Sequence, residues 1–520
     1  METFEWVIGM MLGAALLSML ARRLSLPYPS LLAVGGAAMA LSPVSPNWVL
    51  DPQLALVLFV APVLLDSAYD FSLRDLKRNW VSVAGLAIAA VVITTAAVAW
   101  VVRGLVPGIP WPVAIALGAI VAPPDAAAAT AVMQQIRLPS RIRVVLEGES
   151  LINDASALLL YRIAVGAAVS TSFSGAAIAP TALYVLVGSI ACGIGMAFLL
   201  RLFVGRMQEL HTAIIVQFVS TFLGWIVADR LGLSPVLTTV ICAIIIARSP
   251  SRLRMSPHLR IPTNAVWATV VFLLNAFAFV LIGMQLRPIL GRLAGSDLAK
   301  ALLVAGAVLL TAVLARFAWV MTYNFVLQLL AMKARRHGHP NAFRPPTSVG
   351  LIMSWAGMRG IVTLAAAFAL PETTADGSPF PYRDLVLLCA FAVVFGTLVV
   401  QGLTLRPLIA LSKLQAPDPA VAEVRGARAE ALRAGLTAID GNDTREAILL
   451  RKEFEAIIAT SADEARDADL GALPGNDIRR AALAAARRRA NELWLAGTIG
   501  DEAYRILESE FDWGELGAGA

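Results

Sequence analysis

The chain has 520 residues, 58% of them hydrophobic and only 15% charged, where an ordinary soluble domain is about one quarter charged; a water-soluble globular protein is excluded. The net charge of +6 hides an asymmetry, because residues 413–520 hold 14 basic and 20 acidic side chains and residues 1–412 hold 28 and 16. That basic excess lies between apolar runs, which is how membrane orientation is encoded and not how a nucleic-acid groove is built, and Cys192, Cys242 and Cys389 stand singly inside apolar runs, which excludes a disulfide framework or a CxxC metal site.

A bilayer crossing takes about 20 apolar residues. Runs bounded by Pro, Gly or charge predict thirteen spans, at residues 6–21, 30–46, 52–70, 80–102, 112–134, 143–171, 179–204, 211–230, 233–248, 263–286, 298–330, 346–370 and 383–411. An odd number puts the termini on opposite sides. With the N-terminus outside, the inward loops carry 18 Lys and Arg and the outward loops 6, so the C-terminal tail is expected in the cytoplasm of a cell, or inner, membrane. The acidic start, Met1-Glu2-Thr3-Phe4-Glu5, lacks the basic region of a cleaved signal, and the first span is read as retained. From Lys413 onward, Ala-rich amphipathic stretches predict a small helical cytoplasmic domain over residues 413–520, with Arg487-Arg488-Arg489 on a solvated helix face. The fold class is therefore an all-α polytopic membrane protein with thirteen transmembrane helices over residues 1–412 and a helical tail.

Ionisable residues within apolar spans are costly and mark function unless they pair or reach water. Here they are Asp66, Asp125, Glu147, Glu149, Asp154, Arg162, Arg316 and Arg359, with Glu147 placed at a hydrated helix entrance. In span 6, Glu147-Gly148-Glu149-Ser150-Leu151-Ile152-Asn153-Asp154 puts Ser150 and Asp154 on one helical stripe and Glu149 and Asn153 on the next. A hydroxyl, an amide carbonyl and a carboxylate within one turn suit a dehydrated alkali cation or a proton, whereas zinc would want His or Cys.

Span 5 contains Ala122-Pro123-Pro124-Asp125, and two successive prolines remove two backbone donors, so the helix is expected to break there and to set Asp125 at the positive end of the half-helix that follows. Span 12 offers a counterpart in Gly357-Met358-Arg359-Gly360, where the glycines loosen the helix and Arg359 can neutralise exposed carbonyls. Spans 5 and 12 hold equivalent positions if helices 1–6 and 8–13 form two inverted repeats, an arrangement typical of secondary transporters.

With these residues in view, EGESLINDASALLLYR, preceded by APPDAAAATAV and followed by SWAGMRGIVTLAAAFALP, closely resembles the monovalent cation/proton antiporters, the branch of bacterial NhaP-type antiporters and animal sodium/proton exchangers. The resemblance covers residues 1–412. It implies a homodimer in which a core domain with crossed broken helices moves against a dimerisation domain in an elevator-like cycle. It makes Asp154 the cation- and proton-binding carboxylate, with Asn153 beside it, Ser150 and Asp125 as further Na⁺ ligands, and Asp66 where many relatives carry a glutamate. Glu149 is expected to pair with Arg316, and Arg359 to be the broken-helix arginine. Where many relatives read Thr-Asp-Pro, this chain has Pro124-Asp125-Ala126, which removes one hydroxyl ligand.

The expected activity is electroneutral exchange of one Na⁺, or Li⁺, for one H⁺ by competition at Asp154, because Asn153 stands where electrogenic relatives are expected to have a second aspartate. The alternative is K⁺/H⁺ exchange on the same scaffold, with a cation channel as a rival of another class. No HExxH, Ser-His-Asp set or P-loop points to an enzyme. The partners are monovalent cations, protons, the bilayer and a second copy of the chain; no cofactor and no nucleic acid are expected.

Overall fold

The computed structural model describes residues 2–24, 26–42, 52–70, 83, 85–125, 140–169, 178–204, 209–248, 257–292, 298–337, 345–411, 419–462 and 476–517. Every one of the thirteen apolar runs contains helix. In chain order come α1 (Glu2–Leu24), α2 (Tyr28–Ala40), α3 (Ala61–Asp70), α4 (Ala90–Leu105), α5 (Trp111–Val121), α6 (Ser140–Val169), α7 (Ile178–Val204), α8 (Leu210–Arg230), α9 (Pro235–Ala247), α10 (Pro257–Met284), α11 (Leu298–Arg336), α12 (Thr347–Trp355), α13 (Ile361–Phe368), α14 (Arg383–Gly396) and α15 (Gly402–Leu411). By length and composition, eight helices among the described residues can cross a membrane. The second half of span 5, residues 126–134, and the loop residues Arg74, Lys77, Arg78, Arg137, Arg206, Arg252, Arg254 and Arg344 lie outside the described residues.

Proline sets several helix starts. Pro27, Pro110 and Pro346 are extended residues directly before α2, α5 and α12, and Pro235 opens α9 behind Ser234, whose hydroxyl accepts the amide of Leu237. A proline there costs nothing, because the first amides of a helix have no internal partner. The spans pack through small residues, as is usual where lipid offers no hydrophobic drive between helices. A Cβ on Gly36 of α2 would overlap the carbonyl of Val280 in α10, and one on Gly283 would overlap the backbone of Ala33 and Ala37, so this pair of helices meets main chain to main chain.

The last four helices, α16 (Pro419–Ala438), α17 (Arg445–Ala462), α18 (Asn476–Leu495) and α19 (Asp501–Gly517), bury an apolar core of their own that includes Leu432, Phe454, Leu483, Leu507 and Phe511. They are tied to the bundle by Arg260, at the beginning of α10. Its Nε donates to Asp512 Oδ2 (2.6 Å), its Nη1 to Glu508 Oε1 (3.0 Å) and its Nη2 to Asp512 Oδ1. Arg487 donates to the same Asp512 Oδ1 at 2.7 Å. The positive charge read in sequence as an orientation signal thus also clasps the tail.

Arg260→Gln removes the guanidinium from two buried carboxylates, of which Asp512 keeps Arg487, a loss of about 3 kcal/mol for a broken buried pair. Hydrogen exchange across α19 should rise sharply in that variant while α14 keeps its protection. An unchanged exchange rate in α19 would show that the clasp contributes nothing to docking.

Candidate cation-exchange site

The two broken spans meet where their helices stop. α5 ends at Val121, and the following Pro123 and Pro124 carry no amide hydrogen to continue it. α12 ends at Trp355 and α13 begins only at Ile361, with residues 357–360 outside any helix between them. The amide of Asp125 donates to the carbonyl of Met358 (2.7 Å), which joins the two breaks directly.

Each break exposes helix-end carbonyls, and an arginine faces each set. Arg359, fully buried, donates from Nε to Val121 O (3.1 Å) and from Nη2 to Ala122 O (3.5 Å), so it caps the C-terminal end of α5, in the other broken span. Further donations reach Gly357 O and, at 3.5 Å, Ala312 O. Arg316 donates from Nη2 to Met353 O near the end of α12 (3.2 Å). The same side chain forks onto Glu149, Nη1 to Oε1 at 2.5 Å and Nη2 to Oε2 at 3.2 Å. A cation at a helix C-terminus is favourable because the partial negative charge of the carbonyls is concentrated there.

The half-helix expected to follow Asp125 in its own span falls on residues 126–134, outside the described residues, and the described contact of its carboxyl is with the other broken span. A Cβ on Gly360 would land on the Asp125 carboxyl, so that carboxyl lies against the residue that starts α13, the positive end of the opposite broken span. Only glycine fits there. Gly357 is constrained in the same way by Arg316.

α6 carries the third part of the site past this crossing. Ser150 Oγ donates to Pro124 O (3.2 Å). Asn153, fully buried, donates from Nδ2 to Glu149 Oε1 (3.3 Å), which leaves its carbonyl Oδ1 buried without a hydrogen-bond donor among the described residues. Asp154 is 5% exposed, interacts electrostatically with Asp125, and makes no hydrogen bond or ion pair among the described residues. The structure therefore brings Glu149, Ser150, Asn153, Asp154, Asp125, Arg316 and Arg359 to one crossing.

Two further candidates are Asp66 and Arg162. Asp66 is half-buried on α3, a helix packed mainly against α9 with only slight contact to α6. Arg162, read as a charge inside span 6, is exposed and donates to Asp229 Oδ1 (3.0 Å) and Leu233 O (2.8 Å), so it braces the turn between α8 and α9. Glu147 is in α6, but its side chain lies outside the described residues.

Several neighbours of the crossing escaped the sequence reading. Thr397 Oγ1 accepts the amide of Arg359 (3.0 Å), Ser30 Oγ donates to Leu398 O (2.5 Å), and Tyr28 interacts electrostatically with Asp125. Polar residues at apolar positions were their available signal, and a search confined to ionisable groups passes over all of them except the tyrosine.

Comparison with known proteins agrees with this architecture. Residues 10–411 match the family model "Sodium/hydrogen exchanger, transmembrane". An uncharacterized Na⁺/H⁺ exchanger of Escherichia coli is 31% identical over 526 residues, covering 95% of this chain and 94% of that protein. A sodium, potassium, lithium and rubidium/H⁺ antiporter of Bacillus subtilis is 30% identical over 389 residues, 73% of this chain, and the match spans only 57% of that relative's length. The solved sodium proton antiporter MjNhaP1 of Methanocaldococcus jannaschii superposes with a TM-score of 0.59 at 18% identity, covering 80% of this chain and 99% of that one. An all-helical bundle with two breaks joined at Asp125 and Met358, and a family match along most of its length, places the chain in the sodium/hydrogen exchanger family.

Proposed function

We propose that the chain exchanges Na⁺, and Li⁺, for H⁺ across a cell membrane, one for one, at Asp154. The observation that carries this reading is a buried carboxylate without a hydrogen-bond or ion-pair partner among the described residues, next to the crossing of two broken helices. A carboxylate so placed is satisfied either by a proton or by a cation and not by both together. Around it, Asn153 Oδ1, Ser150 Oγ and Asp125 supply the hard oxygens that replace an alkali cation's water. Ser150 gives its proton to Pro124 O, so its oxygen faces an ion with lone pairs. Asp66 remains a candidate contributor to cation and proton binding.

Electroneutrality follows from the charges. Glu149 and Arg316 cancel each other, Arg359 serves carbonyl ends, and Asp125 rests at a helix N-terminus, which leaves Asp154 to titrate. The proposal includes a homodimer with an elevator-like cycle, in keeping with the family resemblance. It also includes an outer N-terminus, supported by the 18 to 6 distribution of basic loop residues, and a cytoplasmic tail. The transport domain covers residues 1–412 and the tail residues 413–520, a division supported by the family match ending at residue 411 and by the separate core of the last helices.

Potassium is the second reading. It is favoured by Pro124 in place of a hydroxyl-bearing residue, and by the Bacillus subtilis relative, which is named for antiport of potassium and rubidium as well as sodium and lithium. Sealed proteoliposomes with an imposed pH gradient decide between them. Na⁺ or Li⁺ is expected to collapse the gradient, at a rate unaffected by clamping the membrane voltage, and choline to leave it intact. Equal collapse by K⁺ would transfer the assignment to the second reading, and no response to any cation would end both.

A further inference from the structure

The span that begins at Arg383 does not continue as a plain α-helix. Between α14 and α15, residues Thr397–Gln401 form a π-helical turn, a distortion that concentrates at functional sites. Several contacts of that turn and its flanks reach the broken segment. Thr397 holds the amide of Arg359, and Trp355 donates to Thr404 Oγ1 (2.8 Å). A Cβ on Gly402 would overlap Ser30 Oγ and lie 3.5 Å from Met358 Sδ, the residue whose carbonyl holds Asp125.

Gln401 is one turn beyond Thr397 and next to Gly402, between these contacts. It is 2% exposed, and neither its Oε1 nor its Nε2 has a hydrogen-bond partner among the described residues. A buried carboxamide with every polar site unmet is strongly disfavoured. Such a group in a folded protein is accounted for by water or an ion that fills the place. Leucine or methionine would fill the same volume without that penalty, so the amide is there for a polar guest.

We propose that Gln401 is a positioning residue of the exchange site, holding water that keeps the transported cation partly hydrated at the crossing. The inference rests on the exchange reading above. A carboxamide suits this work because it carries both an acceptor and donors yet never titrates. It can orient water at the crossing without adding a second exchangeable proton. Tyr28, two residues before Ser30, packs against Phe272 and Phe279 at ring distances of 5.6 and 6.2 Å.

The test replaces Gln401 with Met and, separately, with Leu, and measures the apparent KM for Li⁺, Na⁺ and K⁺ in proteoliposomes alongside the wild type and Asp154→Asn. The expected result is a KM for Li⁺ and Na⁺ raised about tenfold, the equivalent of one lost hydrogen bond, with the smallest rise for the weakly hydrated K⁺. Thermal stability should not fall. A lower Tm with unchanged KM values, or one uniform rise for all three ions, would overturn the proposal and make Gln401 structural. A wild type without cation-dependent flux would instead strike the exchange reading itself. Two apolar replacements keep the result readable if one fails to accumulate.

Discussion

Asp154→Asn is expected to abolish cation-dependent proton flux, down to the level of empty liposomes, in a protein that still folds. The amide has the size of the carboxylate but cannot release a proton at any physiological pH or offer a charge to a cation. Stability should be equal or higher, because a charged group is more costly to bury than a neutral one, and Asp154 has no ionic partner among the described residues to lose.

The wild type should show the complementary behaviour. Where the protonated form dominates, each unit of pH decrease raises the apparent KM for the cation by about tenfold, because one proton must leave for one ion to bind. The maximal rate at saturating cation is less affected. An Asp154→Asn protein that still exchanges, or a KM indifferent to pH, would remove Asp154 from the centre of the mechanism.

Much of this architecture was legible beforehand, for reasons that differ by element. The spans were readable because hydrophobicity over about 20 residues is imposed by the bilayer itself. Both breaks were readable because Pro123-Pro124 and Gly357 through Gly360 act locally on the backbone. What local pattern could not supply was which end faces which charge. Arg359 was expected near carbonyl ends, and besides Gly357 of its own break those it meets include the end of α5. Asp125 was expected at the helix following it, which lies outside the described residues, and nothing local signalled that its carboxyl would lie against Gly360. Both outcomes depend on segments more than two hundred residues apart crossing in one place. Arg260 illustrates the same point, since an arginine read as an orienting loop charge looks identical in sequence to one that clasps α19. Gln401 was invisible for another reason, namely that a neutral amide adds little to hydropathy and nothing to charge.

The second large effect concerns the pair formed by Glu149 and Arg316. Arg316→Met should leave Glu149 charged and fully buried without its partner, a loss of about 3–5 kcal/mol, and should reduce the folded yield in detergent. The double change Glu149→Gln with Arg316→Met should recover most of the stability, since two neutral side chains of similar volume carry no uncompensated charge. Gln at position 149 can still accept from Asn153 Nδ2, now at 3.3 Å from Glu149, so the Asn153 carbonyl keeps its direction. The exchanged pair, Glu149→Arg with Arg316→Glu, preserves net charge but should not recover.

The reason lies in what each member does besides pairing. Arg316 also donates to Met353 O at 3.2 Å, and a carboxylate in its place would face the negative end of α12. An arginine at position 149 would offer Asn153 only donors where an acceptor is required. Thermal unfolding of the four proteins should therefore order them as wild type, neutral double variant, and then the exchanged pair and single variant together. An exchanged pair as stable as the wild type would mean that the site needs only cancelling charges, whereas the observed hydrogen bonds require a cation under α12 and an acceptor beside Asn153.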